Sequence, residues 1–242
     1  MSRVYLVRHG QAGTREAYDA LSDVGRRQAR LLGQYLVKEK IQFAAACSGA
    51  LVRQQETAAE VRAAYREAGV CFPEIVEEPA WNEFDLAHVY RSLAPQLCAE
   101  DAEFEREYRE LEAQVRAAAE RPEASVNRRW LPCDVKIVQA WIRGQHAYDG
   151  ESWHAFRERV RGCRSKLETA ERDANVVVFT SATPIGIWTA LAMDVHDERA
   201  LRLAGVLHNT SWTVIRVFDE QVRLHSFNAI PHLDDPELRT YR

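Results

Sequence analysis

Val4-Tyr5-Leu6-Val7-Arg8-His9-Gly10-Gln11 decides how this chain is read. Val4 to Val7 is a short apolar run of strand formers, and Arg8, His9 and Gly10 break it abruptly. A buried strand that ends in a cation, an imidazole and a flexible residue delivers side chains to a site. A histidine in that place can attack phosphorus while an arginine holds the phosphoryl oxygens.

The segments that follow set the frame for that strand. Gln11 to Ala20 is a polar loop, and Ser22 stands where a helix N-cap would, ahead of Gly25 to Leu36. Ala29, Leu32 and Leu36 recur at helical spacing, so one face of this helix can pack on a sheet. A second strand is expected over Phe43–Cys47, a second helix from about Leu51 to Glu67, and a third strand over Glu74–Pro79. Strand, helix, strand, helix, strand points to an α/β fold with a mostly parallel sheet and right-handed crossovers.

Asn175–Thr180 is a continuous apolar strand of the kind buried on both faces. The helix expected over Pro184–Met193 opens on proline, where a missing N–H costs little. Ser211–Phe218 and Val222–Phe227 flank Asp219-Glu220-Gln221 as a closing hairpin, which puts one antiparallel strand at the sheet edge. In the middle, Ala99–Arg121 reads as a helix with Phe104, Tyr108 and Leu111 on one face. Glu123–Tyr148 reads as less regular sequence carrying Trp130 and Trp141. The expected whole is a single domain over residues 1–242, a three-layer α/β/α sandwich, with a helical cap inserted at about 85–150.

The bulk numbers exclude more than they name. With 46% hydrophobic and 28% charged residues, the 242-residue chain has ordinary globular composition, which speaks against disorder and repeat architectures. A net charge of -4 gives no electrostatic case for nucleic acid or an anionic membrane, while a local arginine cluster can still bind a small anion. Cys47, Cys71, Cys98, Cys133 and Cys163 are scattered singly, a pattern of neither a disulfide framework nor a zinc site. Met1-Ser2-Arg3 leads into the first strand without an apolar leader, and no run is long enough to span a bilayer. A soluble, cytoplasmic protein is expected.

Several segments, in order, carry a family resemblance. Leu6-Val7-Arg8-His9-Gly10-Gln11 resembles the signature of the histidine phosphatase superfamily, the phosphoglycerate mutase-like group. Ser22-Asp23-Val24-Gly25-Arg26-Arg27-Gln28-Ala29 looks like that family's S-x-x-G-x-x-Q-A helix start, and Cys47 to Ala58 is similar to its S-S-P-L-x-R-x-x-Q-T-A segment. Gly150-Glu151-Ser152 matches a short G-E-S before a family helix, and Phe227-Asn228 and His232-Leu233 resemble the C-terminal part of related bacterial proteins. The resemblance implies a phosphomonoesterase with His9 as the nucleophile that becomes phosphohistidine, and Arg8 and Arg53 as the phosphoryl clamp. Gly10 leaves room for close backbone approach, and Gly10 and Gln11 count with the phosphate-binding groups through their amides. It also implies a glutamate acid after the third strand. Glu83, between Trp81 and Phe84, fits, with Asp85 in reserve.

One departure from the family pattern stands out. Where the family places a second histidine in S/T-H-G-G-x-I, this chain has Phe179-Thr180-Ser181-Ala182-Thr183-Pro184-Ile185, with Ser181 at the histidine position. A serine donates one hydrogen bond to a phosphoryl oxygen but supplies no positive charge. The readings left open are a slow phosphatase acting on a small phosphorylated substrate, a phosphate-ligand binding pseudoenzyme, and, less well supported, a phosphoglycerate mutase.

No metal-ligand spacing such as H-E-x-x-H occurs and no cofactor is called for. A homodimer is allowed but not demanded. His208 and His232 favour structural roles over catalytic ones, as do His146 and His154 beside Gly150-Glu151-Ser152. Trp130 and Trp141 read first as packing residues and Arg128-Arg129 as solvated surface. Asn209-Thr210-Ser211 is a chance match to a glycosylation acceptor.

Overall fold

In the computed structural model, which describes residues 2–13, 19–119, 132–167, 174–218 and 221–241, the opening apolar run is β1 (Ser2–Arg8). Next, α1 (Asp23–Lys38) begins where the sequence placed its cap: the Ser22 hydroxyl accepts the Gly25 amide at 3.0 Å. β2 (Ala45–Ser48), α2 (Val52–Glu67) and β3 (Ile75–Glu77) follow. Phe43, expected to open β2, lies just before it, its ring among those of Tyr5, Tyr65 and Phe72.

The middle of the chain holds α3 (Leu86–Glu100), α4 (Ala102–Ala119), α5 (Pro132–Arg143) and α6 (Trp153–Gly162). The single helix expected over Ala99–Arg121 is interrupted at Asp101, whose carboxylate accepts the Glu103 and Phe104 amides at 2.9 and 3.1 Å and caps a new helix. A capping aspartate inside an Ala/Glu/Arg-rich run is hard to tell from one more surface charge, and α3 went unread for the same reason. Its cap is Asp85, bonded to the His88 amide at 2.9 Å. The stretch read as irregular contains the regular α5, while Trp130 and Arg128-Arg129 lie outside the described residues.

The chain then forms β4 (Asn175–Thr180), α7 (Ala182–Met193), α8 (Asp197–Gly205), β5 (Trp212–Phe218) and β6 (Gln221–Ala229). α7 starts two residues earlier than expected, with Pro184 in its first turn, where no intrahelical N–H is required. The unforeseen α8 packs against α7.

The sheet order is β3-β2-β4-β1-β5-β6. β3, β2, β4 and β1 pair in parallel, while β5 runs antiparallel to β1 and pairs antiparallel with β6 at the edge. The chain leaving β1 skips one position to form β2, and β4 later fills the gap. The carboxyl ends of β2, β4 and β1 therefore lie side by side, with Ser48 opposite Phe179 and Arg8 opposite Thr180. Open parallel sheets form their ligand crevices at such ends.

Strand alternation divides the core between two faces. Val7, Val177, Phe179 and Val214 pack with Leu32 and Leu36 of α1 and Ala58, Val61 and Tyr65 of α2. Leu6, Val176 and Val178, also fully buried, alternate to the other face, and α7 packs against β1, β5 and β6. Each such large apolar side chain contributes about 1.5–3 kcal/mol on burial.

The chain forms two compact units, Met1–Glu83 with Arg159–Arg242, and Phe84–Glu158. The second has its own aromatic core, in which Phe84 stacks on Trp141 at 4.4 Å and Trp153 and Phe156 pack around them. Among the described residues no helix is long and apolar enough to cross a membrane.

Candidate active site

His9 follows directly on β1, and its amide continues the ladder to the Thr180 carbonyl at 2.9 Å. A turn ahead of β5 holds the same point. The Thr210 amide donates to the Arg8 and His9 carbonyls at 3.1 and 3.3 Å, and Asn209 Nδ2 donates to the His9 carbonyl at 3.1 Å. Thr210 adopts φ 56°, a left-handed conformation rare for a β-branched residue and costing roughly 1–3 kcal/mol. The backbone carrying His9 is thus fixed from both neighbouring strands.

The imidazole is oriented as well. His9 Nδ1 lies 2.7 Å from the Gly10 carbonyl, and Arg53 Nε donates to Nε2 at 3.2 Å. A carbonyl only accepts, so this network puts the proton on Nδ1 and leaves a lone pair on Nε2. That tautomer suits nucleophilic attack through Nε2.

Two arginines stand here, in different states. Arg8 is buried, and its Nη1 donates to the Leu207 carbonyl. Arg53 is the second residue of α2, also buried, with Nε on His9 and Nη1 on Asp19 Oδ1 at 2.7 Å. The N-cap of α2 is Leu51, which has no side-chain acceptor to offer. Gln54 Oε1 takes the Leu51 amide at 3.3 Å, and Asp19 Oδ2 takes the Val52 amide at 3.1 Å.

The loop after His9 is closed against α1 and α2. A Cβ built on Gly10 would lie 2.5 Å from the Gly25 carbonyl oxygen, and one on Gly25 would lie 2.1 Å from the Gln11 carbonyl oxygen. Only two glycines permit this approach of backbone to backbone. The Gly10 amide donates to Thr57 Oγ1 at 3.0 Å, and the Gln11 amide to Gln28 Oε1 at 2.9 Å. Both amides, expected to face an anion, are turned inward here and hold the loop. The Gln11 side chain takes the Ser22 hydroxyl at 2.8 Å.

Ser181 and Glu83 meet at the start of α7. Ser181 is its N-cap residue, fully buried, and its Oγ accepts from Gln54 Nε2 at 2.8 Å, leaving the hydroxyl proton to donate. Glu83 Oε2 accepts the Thr183 amide at 3.1 Å, placing its half-buried carboxylate on the positive end of α7. The segment before it is held in turn. Arg159 Nη1 lies 3.3, 2.9 and 3.3 Å from the carbonyls of Pro79, Ala80 and Asn82, while Asn82 Oδ1 takes the Ala50 amide at 2.7 Å.

Among the histidines set aside, His232 lies beneath the site. Its ring stacks on Trp212, its Nε2 is 2.8 Å from Thr210 Oγ1, and burial pushes its pKa down to about 3. His208 Nδ1 is 3.3 Å from Asn228 Nδ2. In the second unit His146 pairs with Glu100 at 3.0 Å, and His154 is exposed.

Sequence reading passed over Asp19, Gln54, Thr57, Asn209, Thr210 and Arg159. Gln54 and Thr57 stood inside a quoted motif without a role, and Asn209-Thr210 was visible only as a formal glycosylation match. Nothing in the sequence links Asp19 to Arg53 or Arg159 to the Glu83 segment. Among the described residues no group of three or more His, Cys, Asp or Glu side chains could hold a metal ion.

A mostly parallel sheet with this strand order, carrying an arginine and a histidine at the carboxyl end of β1, is an α/β arrangement of the kind the sequence resemblance implies. The family model described as "Histidine phosphatase superfamily (branch 1)" matches residues 4–140 and 133–230, and the chain belongs to that superfamily. A curated relative, the mitochondrial serine/threonine-protein phosphatase Pgam5 of Caenorhabditis elegans, is 26% identical over 161 residues, 62% of this chain. The match spans about half of that relative, 52% of its length. Among solved structures, Bacillus stearothermophilus YhfR superposes with a TM-score of 0.62 at 17% identity, over 97% of this chain and 100% of that one. A mycobacterial glucosyl-3-phosphoglycerate phosphatase gives 0.56 at 19% identity, over 94% and 98%. At these identities the solved structures speak for the fold.

Proposed function

We propose that the protein is a phosphomonoesterase working through a phosphohistidine on a small phosphorylated substrate. The observation that carries this reading is the pair of contacts on His9: Nδ1 bonded to the Gly10 carbonyl, and Nε2 beside the Arg53 guanidinium. In the first step Nε2 attacks phosphorus in line, the ester P–O bond breaks, and Glu83, in its acid form, protonates the leaving oxygen. In the second, Glu83 takes a proton from water, the oxygen of that water attacks phosphorus, and the N–P bond breaks to release phosphate. Arg8 and Arg53 carry the charge on the equatorial oxygens, which requires Arg53 Nε to swing from His9 to the phosphoryl group. The stretch at about 85–150 is read as a helical cap insertion within one phosphatase domain. The relatives named phosphatases support the activity class but not a substrate.

Ser181 makes this a slow enzyme on the same reading. Taking it to stand where relatives carry a second histidine, the site has a neutral donor in place of a cationic one. The loss of one such group costs about 3 kcal/mol of transition-state stabilisation, on the order of a hundredfold in rate. That residue also favours a second reading, a binding module that holds phosphate esters without turning them over.

The two readings separate with purified protein and a panel of phosphate esters. Turnover that disappears in His9→Ala, with an acid-labile phosphoryl group trapped on the wild type alone, is expected. Tight phosphate binding without turnover would move the assignment to a binding module. Neither hydrolysis nor phosphate binding in the wild type would refute both.

A further inference from the structure

Asp19 sits on the two kinds of donor that a phosphoryl oxygen uses. Its Oδ1 is 2.7 Å from Arg53 Nη1 and its Oδ2 is 3.1 Å from the Val52 amide, at the end of α2 that Leu51 leaves without a capping side chain. The guanidinium is buried, with 10% of its side-chain surface exposed, while the carboxylate keeps 45%. A buried cation needs a counter-anion, whereas a half-exposed carboxylate returns to water at small cost.

Arg53 also covers the His9 Nε2 lone pair with its own Nε. The guanidinium is a planar, rigid fork, so Nε and Nη1 move together. Uncovering the nucleophile therefore draws Nη1 away from Asp19. The contact to Asp19 and the contact to His9 belong to one resting arrangement, and a phosphoryl dianion bound at Arg53 competes with both.

We propose that Asp19 is a resident counter-anion on Arg53 that an incoming phosphoryl group displaces, so that it sets how tightly phosphate dianions bind. The inference rests on the phosphate-pocket reading above. It assigns Asp19 the opposite sign from an orienting partner, whose loss would weaken binding.

Titration calorimetry with inorganic phosphate on the 242-residue chain tests it. Asp19→Asn keeps the size of the side chain and an acceptor for the Val52 amide but removes the charge, and phosphate should bind about three- to tenfold tighter than to the wild type. Asp19→Ala should shift binding the same way, and it guards against an amide that still holds Arg53. Glu74→Gln, an exposed change of equal charge away from the site, should leave affinity unchanged. Unchanged or weaker binding in both Asp19 variants, with thermal midpoints near wild type, would overturn the proposal. An equal gain in Glu74→Gln would also do so, by reducing the effect to net charge. Wild-type phosphate binding that survives Arg53→Gln would instead refute the clamp itself, a separate failure. Absence of binding in every variant would remove the pocket and this inference together.

Discussion

Gly25→Ala sets a gain in helix propensity against a larger steric loss. Gly25 is the third residue of α1, and alanine there improves helix propensity by up to about 1 kcal/mol. Against this, the new Cβ would lie 2.1 Å from the Gln11 carbonyl oxygen, 2.8 Å from its nitrogen and 3.0 Å from its carbonyl carbon. All three are backbone atoms, so no rotamer change relieves the contact; the loop or the helix start must shift by about 1 Å to restore ordinary separations. Gln11 resists, because its amide donates to Gln28 Oε1 at 2.9 Å and its carbonyl accepts the Ser22 amide at 3.0 Å.

Overpacking of about 2 kcal/mol and one weakened hydrogen bond of about 1 kcal/mol, less the propensity gain, leave a net loss of about 2 kcal/mol. For a chain of this size that lowers the thermal midpoint by about 4–8 °C. Phosphate affinity should fall too, since Gly10 and His9 lie on the far side of the same contact. Circular dichroism melts and urea titration would read the stability. Gly162→Ala is the control: at the last residue of α6 its Cβ meets nothing within 4 Å, and it should be neutral or stabilising. A Gly25→Ala protein as stable as the wild type, with unchanged phosphate affinity, would refute the claim that this glycine pair positions the site.

Two further expectations follow from buried polar groups. His232 is held near pKa 3 by burial, below the ordinary 6.5, so the unfolded chain takes up its proton first as pH falls. Its contribution is complete above about pH 6.5 and is lost toward pH 3, at up to about 1.4 kcal/mol per pH unit. His232→Phe, which keeps a ring against Trp212, should flatten the pH dependence of urea stability between pH 7 and 4; parallel curves would refute this. Arg159→Met keeps the aliphatic stem but removes the contacts to Pro79, Ala80 and Asn82, for a loss of about 1.5–3 kcal/mol. Because that segment leads into Glu83, kcat should fall more than phosphate affinity does, and equal falls in both would point to general loosening of the pocket.

The fold was legible because its signals are local and periodic. Val4 to Val7 and Val176 to Phe179 announce strands buried on both faces, and Ser22 ahead of Gly25 announces a capped helix. The interrupted helix at Asp101 and the unread α3, capped by Asp85, show the limit. A capping aspartate and a surface aspartate are the same letter, and only the amides around it tell them apart.

The site divides the same way. Arg8-His9-Gly10, Arg53 and Ser181 stood out because their types and order form a pattern along the chain, and that pattern is enough to name the superfamily. That Arg53 lies on His9 Nε2, that the Gly10 and Gln11 amides turn inward, and that Glu83 rests on the start of α7 are decided by hydrogen bonds between residues 17 to 100 apart in sequence. Asp19 on Arg53 and Arg159 on the Pro79–Asn82 carbonyls are of the same kind. Covalent order fixes residue types and their local spacing. Long-range partners arise only when the sheet order brings the ends of β1, β2 and β4 together, and it is these partners that set the orientation and charge on which the chemistry depends.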